Sequence, residues 1–302
     1  MRRSETAAVL DLGTNTFHLI IAEKSAVEYT VLHHEKQFVH LGKEGLGHLS
    51  DPAIQRAMKT LFDFHSKVKT YAPQKLKIVS TAALRRADNA SFFLQKIKEE
   101  LGWDVDIISG DEEARLIHLG VVHTLENLPD EFIIMDIGGG STEFIHSKNK
   151  QILWKYSFDL GVAVLSPFHT KDPITTFEKK SLFGFLQERL QPLLQYIQNI
   201  KSPVALVGAS GSFNTLRSMT NTTSRQISIE NFEVLRKSLC HSTLQQRMQM
   251  KGLPNARAGY IVTACLLIDF VLDVLQSSCI FVSPAALKEG ILWELFHSSK
   301  SN

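Results

Sequence analysis

Two stretches of the chain share one order of apolar and polar positions. Phe132-Ile-Ile-Met-Asp-Ile-Gly-Gly-Gly-Ser-Thr-Glu-Phe-Ile145 is apolar up to Asp136, poor in side chains across its glycines, and apolar again after Glu143. This pattern predicts a buried strand, a tight turn and a return strand. Ala8-Val-Leu-Asp-Leu-Gly-Thr-Asn-Thr-Phe-His-Leu-Ile-Ile21 repeats it 125 positions earlier, with Asp11 at the place of Asp136 and Gly13 at that of Gly138. The repetition predicts two similarly built halves.

Between and after these stretches, strands are predicted at Ala26–Leu32, Leu76–Thr81, Val105–Ser109, Trp154–Leu160, Val204–Val207 and Ile280–Val282. Ser50-Asp51-Pro52 opens a helix, with Ser50 or Asp51 as cap and Pro52 in the first turn. Its stripe is Ile54, Met58, Leu61, Phe62, His65 and Val68. Further helices are predicted at Phe92–Leu101 with Asn89 as cap, from Gly110 to about Leu125, and at Phe177–Ile200, where Pro192 is a kink site. Others start at Phe213 or cover Glu230–His241, Arg257–Leu275 and Pro284–Phe296. Leu128–Glu131 is the predicted link between domains.

At 302 residues the chain is long enough for two domains or one large one. Its 44% hydrophobic and 21% charged residues are those of an ordinary soluble globular protein. A net charge of +2 excludes wholesale nucleic-acid binding through a basic surface, so any anion specificity must come from local geometry. Cys240, Cys265 and Cys279 are odd in number and lack C-x-x-C spacing, which predicts reduced core thiols in a cytoplasmic protein. Met1-Arg-Arg leads into Ser4-Glu-Thr and a short apolar run that stops at Asp11, which is not the pattern of a signal peptide. Tyr260–Leu275 carries Asp269 and Asp273 and is too short and charged to span a bilayer, so no membrane association is expected.

The candidate chemistry follows from these positions. Glycines let backbone N–H groups approach an anion, and Ser141 and Thr142 add hydroxyl donors. Asp136 and Glu143 flank the turn, where they could hold a divalent cation directly or through water. Taken alone, the stretch reads equally well as a plain hairpin; with its repeat, two opposed phosphate loops would clamp a polyanion. Arg85 and Arg86 follow a predicted strand end, where open α/β sheets place ligands, and guanidinium forks match phosphate oxygens. Arg86 reads better as a solvated charge, whereas Arg85 lies beside small Thr81, Ala82 and Ala83. Asp111, Glu112 and Glu113 open a helix; its dipole and a Ser109–Glu112 capping box account for at least two of the three acids. The remaining one could orient and deprotonate an attacking water. Gly208-Ala-Ser-Gly-Ser212 is either a third anion loop at a helix start or a place of close helix–strand packing. Lys36 to Gly47, with His40 and Lys43, reads as a surface loop.

Five motifs occur in order: Asp-Leu-Gly-Thr-Asn-Thr-Phe-His (11–18), Ser-Thr-Ala-Ala-Leu-Arg (80–85), Ile-Ser-Gly-Asp-Glu-Glu-Ala-Arg-Leu (108–116), Asp-Ile-Gly-Gly-Gly-Ser-Thr-Glu (136–143) and Gly-Ala-Ser-Gly-Ser (208–212). Together they resemble the exopolyphosphatase and guanosine pentaphosphate phosphohydrolase family of the actin-like superfamily, over essentially the whole chain. The resemblance implies an α/β fold of two ribonuclease-H-like domains, residues 1–127 and 128–302, each a mixed sheet flanked by helices, with the active site in the cleft. The terminal helix, 284–302, would pack back on the first domain. It implies hydrolysis of terminal phosphoanhydride bonds with Mg²⁺ or Mn²⁺. By position, Glu113 matches the catalytic base, with Glu112 its neighbour, and Arg85 a phosphate-binding arginine. Asp136 and Glu143 match the acids that position metal or water, and Asp11 joins them. The phosphate loops correspond to Gly13, Thr14 and Asn15, to Gly138, Gly139, Gly140, Ser141 and Thr142, and to Gly208, Ser210 and Gly211.

Three departures stand out. His40 occupies a place where many members have arginine, which would make phosphate affinity there pH-dependent. Ala209 and Ser212 replace common threonines. The chain also stops where longer members continue into a helical domain. The expected substrate is linear polyphosphate, cut one phosphate at a time, with guanosine pentaphosphate as the nearest rival. A non-catalytic sensor of polyphosphate or an alarmone is the reading of another class. No nucleic-acid polymer is expected as partner, and the resemblance leaves a homodimer open.

Overall fold

The computed structural model describes residues 5–25, 29–200, 203–220 and 224–298. Its backbone contacts divide the chain into two units, Met1–His123 with Ala285–Asn302, and Thr124–Pro284.

The first unit is built on five strands: β1 (Thr6–Leu12), β2 (Thr16–Lys24), β3 (Tyr29–Phe38), β4 (Lys75–Ser80) and β5 (Asp106–Ile107). They lie in the order β3-β2-β1-β4-β5. The first three form an antiparallel meander, and β4 and β5 add in parallel. Ala8, Leu10 and Leu12 pack with Phe17, Leu19 and Ile21 against the helices Asp51–Tyr71 and Ala90–Leu101.

The second unit contains β6 (Glu131–Ile137), β7 (Thr142–Lys148), β8 (Gln151–Phe158), β9 (Ala205–Ala209), β10 (Gln226–Ser228) and β11 (Cys279–Val282). Their order is β10-β11-β9-β6-β7-β8. Read from β8, this is the same meander followed by two parallel strands, with β10 added antiparallel at the far edge. The helix Ile261–Leu275, buried over most of its length, fills the core of this unit. Among the described residues, no helix is long and apolar enough to cross a membrane.

The terminal helix Leu287–His297 belongs to the first unit and lies against the helix Gly110–Thr124 almost backbone to backbone. A Cβ on Gly290 would stand 1.8 Å from the Leu116 carbonyl oxygen, and one on Gly120 would stand 2.3 Å from that of Ala286. Lys75 and Lys24 donate to the carbonyls of Leu295 and Phe296, placing cations at the negative end of the helix dipole. Both lysines also pair with Glu5.

Several local expectations need correction. The third strand runs on to Phe38, so Lys36 lies in a strand rather than a loop; the expectations for residues 1–4, 26–28 and 299–302 fall outside the described residues. Phe62 is 44% exposed and Phe64 takes its place inside, because the buried stripe is Ala53, Ile54, Ala57, Met58, Leu61, Phe64 and Val68. The helix expected at Phe177–Ile200 is two helices, Thr176–Arg189 and Gln191–Ile197. Pro192 sits in the first turn of the second, where its missing N–H costs nothing. The expected loop at Gly208–Ser212 is absent: β9 reaches Ala209 and a helix, Ser210–Met219, starts at once.

Candidate active site

In the first unit, β1 and β2 are joined by a turn that Gly13 closes by donating to the Thr16 carbonyl at 3.1 Å. A Cβ on Gly13 would lie 2.9 Å from that oxygen, so the position excludes a side chain. Thr14 and Asn15 anchor the following loop through their carbonyls, which accept from Gly42 N at 3.2 Å, Val39 N at 3.0 Å and His40 N at 2.9 Å. His40 adopts φ 50°, and burial, with the Arg56 and Lys43 charges, holds its imidazole below the usual range. It is therefore neutral at neutral pH and a weak substitute for arginine. Asp11 lies opposite His18 on the ladder.

The end of β4 is tied to the end of β1 by Ser80, whose Oγ donates to the Leu12 carbonyl at 2.9 Å. A short helix, Ala82–Arg86, follows immediately. Ala82, Ala83 and Leu84 are buried, Arg85 is half-buried and Arg86 is exposed. Arg85 Nη1 donates at 2.9 Å to the Ile108 carbonyl and at 2.9 Å to Glu113 Oε2. A guanidinium has five N–H donors. The Nε and Nη2 donors of Arg85 have no partner among the described residues and remain for an anion.

Glu113 is 7% exposed, in the first turn of the helix Gly110–Thr124. Its neighbours are separated from it by chemistry. Asp111 points to solvent. Glu112 binds Arg115 through both carboxylate oxygens, at 2.8 and 2.7 Å, and Arg115 reaches on to Glu294 at 2.6 Å. Half of the expected capping box forms, since Ser109 Oγ accepts from Glu112 N at 3.1 Å. The Glu112 carboxylate is held by Arg115, so Glu113 is the acid paired with Arg85.

In the second unit, Gly138 N donates to the Ser141 carbonyl at 2.9 Å, the same closure as Gly13 to Thr16. The carbonyls of Gly138 and Gly139 are capped by Val162 N at 3.0 Å and Ala163 N at 2.9 Å. Gly161 permits this approach, because a Cβ there would stand 2.2 Å from Gly139. Gly140 and Ser141 are buried in the turn, and Thr142 Oγ1 donates to the Leu160 carbonyl. The Thr142 hydroxyl hydrogen is thus committed to the fold.

Asp136 and Glu143 are direct partners across the β6–β7 ladder, so their side chains leave the same face. They are 5% and 1% exposed. Ser210 Oγ donates to Asp136 Oδ2 at 2.7 Å, and Ser157 Oγ donates to Glu143 Oε1 at 2.7 Å. Among the described residues, no three His, Cys, Asp or Glu side chains form a ready-made metal cage. Two adjacent buried carboxylates nevertheless suit Mg²⁺, which uses one or two acids and fills its other positions with water and substrate phosphate oxygens.

Ser210 has φ 63°, a left-handed turn that aims its hydroxyl at Asp136. Gly208 serves packing: a Cβ there would be 2.0 Å from the Phe213 ring. Gly211 makes room for a residue that the sequence suggested only as a helix start, not as a ligand. A Cβ on Gly211 would stand 1.8 Å from Arg257 Nη2. The Arg257 guanidinium makes no hydrogen bond or ion pair among the described residues, and burial pushes its pKa down. A half-buried guanidinium without a side-chain partner among the described residues, packed beside Gly211, is a place for an anion. No local signal marks Arg257, which lies 46 positions after Gly211 in a turn ahead of an apolar helix.

Comparison with known proteins identifies the family and the fold. Residues 20–299 match the model of the Ppx/GppA phosphatase family. The crystal structure of an exopolyphosphatase from Cytophaga hutchinsonii is similar with a TM-score of 0.93 and 34% identity, over 98% of this chain and 99% of that one. A Ppx-GppA enzyme from Aquifex aeolicus is similar with a TM-score of 0.81 and 26% identity, over 97% of this chain and 100% of that one. The two mixed sheets flanked by helices are those of the actin-like, ribonuclease-H-like proteins of this group. The chain belongs to the Ppx/GppA phosphatase family and is a phosphoanhydride hydrolase.

Proposed function

We propose that the chain is an exopolyphosphatase that releases terminal inorganic phosphate from linear polyphosphate with the help of Mg²⁺. The observation that carries the reading is the Arg85–Glu113 pair, which puts a buried carboxylate acceptor beside unused guanidinium donors. Glu113 orients a water and takes its proton. The water oxygen bonds to the terminal phosphorus as the bond to the bridging oxygen breaks. The bridging oxygen leaves with the electron pair on the shortened chain, and orthophosphate is released. The transition state is loose, so charge placement matters more than nucleophile strength. In the first unit Arg85 offers such placement beside Glu113, and in the second the Gly139–Ser141 backbone N–H groups and Arg257 offer anion donors of the same kind. Mg²⁺, held by Asp136 and Glu143, would neutralise phosphate oxygens when bound.

Polyphosphate is preferred as substrate because a protein 34% identical over nearly its full length is an exopolyphosphatase. The test is inorganic phosphate release from linear polyphosphate and from guanosine pentaphosphate, side by side, with and without Mg²⁺. Faster, Mg²⁺-dependent release from polyphosphate supports the reading. Preference for the nucleotide moves the function to alarmone hydrolysis, and binding without release from either contradicts both.

A further inference from the structure

The second unit also buries a guanidinium that bonds to none of the candidate substrate ligands. Arg247 is 1% exposed. Its Nη1 and Nη2 donate to Asp172 Oδ1 at 2.8 Å and Oδ2 at 3.2 Å. Nη1 also donates to the Ser242 carbonyl at 2.6 Å, and Nε to the Ala258 carbonyl at 2.8 Å. Asp172 in turn accepts from Leu244 N and lies 3.1 Å from His169 Nε2. Burial pushes the Asp172 carboxyl up, but the Arg247 and Leu244 hydrogen bonds outweigh it and hold the group below its usual range.

Burying the Arg247 guanidinium is an expensive way to fill space, and its partner Asp172 stays partly exposed. A buried ion pair is often matched in stability by apolar side chains of similar volume, and what it adds is directional geometry. Here the direction leads to one place. Ala258 is fully buried and directly follows Arg257. The Arg257 side chain has no bonds of its own to fix it, so its position depends on the backbone beneath it. That backbone is the short turn Asn255–Arg257, closed by Arg257 N to the Pro254 carbonyl at 2.8 Å and by Ala258 N to the Asn255 carbonyl at 3.2 Å. Arg247 Nε holds the far end of the turn.

We propose that Arg247 and Asp172 are positioning residues for phosphate-chain binding: the buried Arg247 guanidinium, oriented by the more exposed Asp172 carboxylate, fixes the Asn255–Ala258 turn and so holds the Arg257 guanidinium against Gly211. This rests on the reading of Arg257 as a phosphate ligand. Neither residue touches substrate; both act through the Ala258 carbonyl.

The experiment uses the full chain and phosphate release from linear polyphosphate. Arg247→Met combined with Asp172→Asn neutralises the pair without stranding one charge. This variant, Arg257→Ala and the combination of all three are compared for KM, kcat and thermal midpoint. The expected result is cooperative unfolding of the paired variant and a KM raised about tenfold, the size of one lost charge-assisted hydrogen bond, with kcat nearly unchanged. No further rise is expected when Arg257→Ala is already present. If the paired variant does not fold, Asp172→Asn alone is read in the same way. An unchanged KM in a folded variant, or an equal rise on top of Arg257→Ala, overturns the strut and leaves the Arg257 reading intact. A silent Arg257→Ala overturns that reading and the strut with it, while wild-type turnover still judges the phosphatase assignment.

Discussion

Asp136 faces Glu143 across the β6–β7 ladder, and at the matching rung of β1–β2 Asp11 faces His18. The two turns close identically, Gly138 to Ser141 and Gly13 to Thr16. The repeat therefore conserves backbone geometry while the chemistry opposite the aspartate differs. Paired carboxylates suit a hard cation; an aspartate opposite an imidazole does so less well. Asp136→Asn and Glu143→Gln are expected to raise the Mg²⁺ concentration needed for half-maximal phosphate release about tenfold or more, and Asp11→Asn less. Mg²⁺ titrations of the three variants check this, and an unchanged Asp136→Asn curve removes Asp136 from the metal site.

Arg85 and Arg86 are adjacent in sequence but differ in surroundings. Arg85→Lys keeps the charge and loses the fork, so KM for polyphosphate is expected to rise about tenfold. Arg86→Ala is expected to stay within about twofold of wild type. Steady-state kinetics on both variants decide between a specific ligand and a diffuse basic surface.

Gly208→Ala tests the packing role of that glycine. The new methyl would fall 2.0 Å from the Phe213 ring, itself fully buried. Overpacking of this kind costs about 1–3 kcal/mol. Thermal unfolding is expected to show a midpoint lowered by about 2–4 °C for each kcal/mol. An unchanged midpoint would mean that Phe213 moves freely.

Acid should weaken the protein through His118. Burial, followed by the nearby His123 charge, pushes its pKa down to about 4 from 6.5. The unfolded chain takes up this proton near 6.5, whereas the folded chain resists until about 4. The stabilising contribution is therefore complete above 6.5 and is lost as pH falls from there to about 4. Its full size is about 3 kcal/mol at most. Denaturant unfolding between these limits should show a shallower pH dependence for His118→Leu than for wild type.

Much of the fold and site is written in local pattern. Ser50 caps its helix through its side chain, to Ala53 N at 3.2 Å, and Pro52 sits in the first turn, because these residues act within four positions. The Asp-x-Gly turns are legible for the same reason. The sequence also singled out Glu113 and Arg85, though only the structure supplies their hydrogen bond across 28 positions. What local pattern hides is tertiary choice. Phe62 and Phe64 are equally apolar, and only the angle at which the helix meets the sheet decides that Phe64 is buried. Arg257 and its Arg247 support depend on contacts between distant segments, which no spacing rule encodes.

General-base catalysis by Glu113, held in place by Arg85, is the step on which the proposed reaction depends. It is tested most directly by kcat and KM of Glu113→Gln on linear polyphosphate, since glutamine keeps the shape and a hydrogen-bond acceptor but cannot take the proton. The expected result is a fall in kcat of about 10²–10⁴-fold with KM within about threefold of wild type. A kcat close to wild type would contradict it.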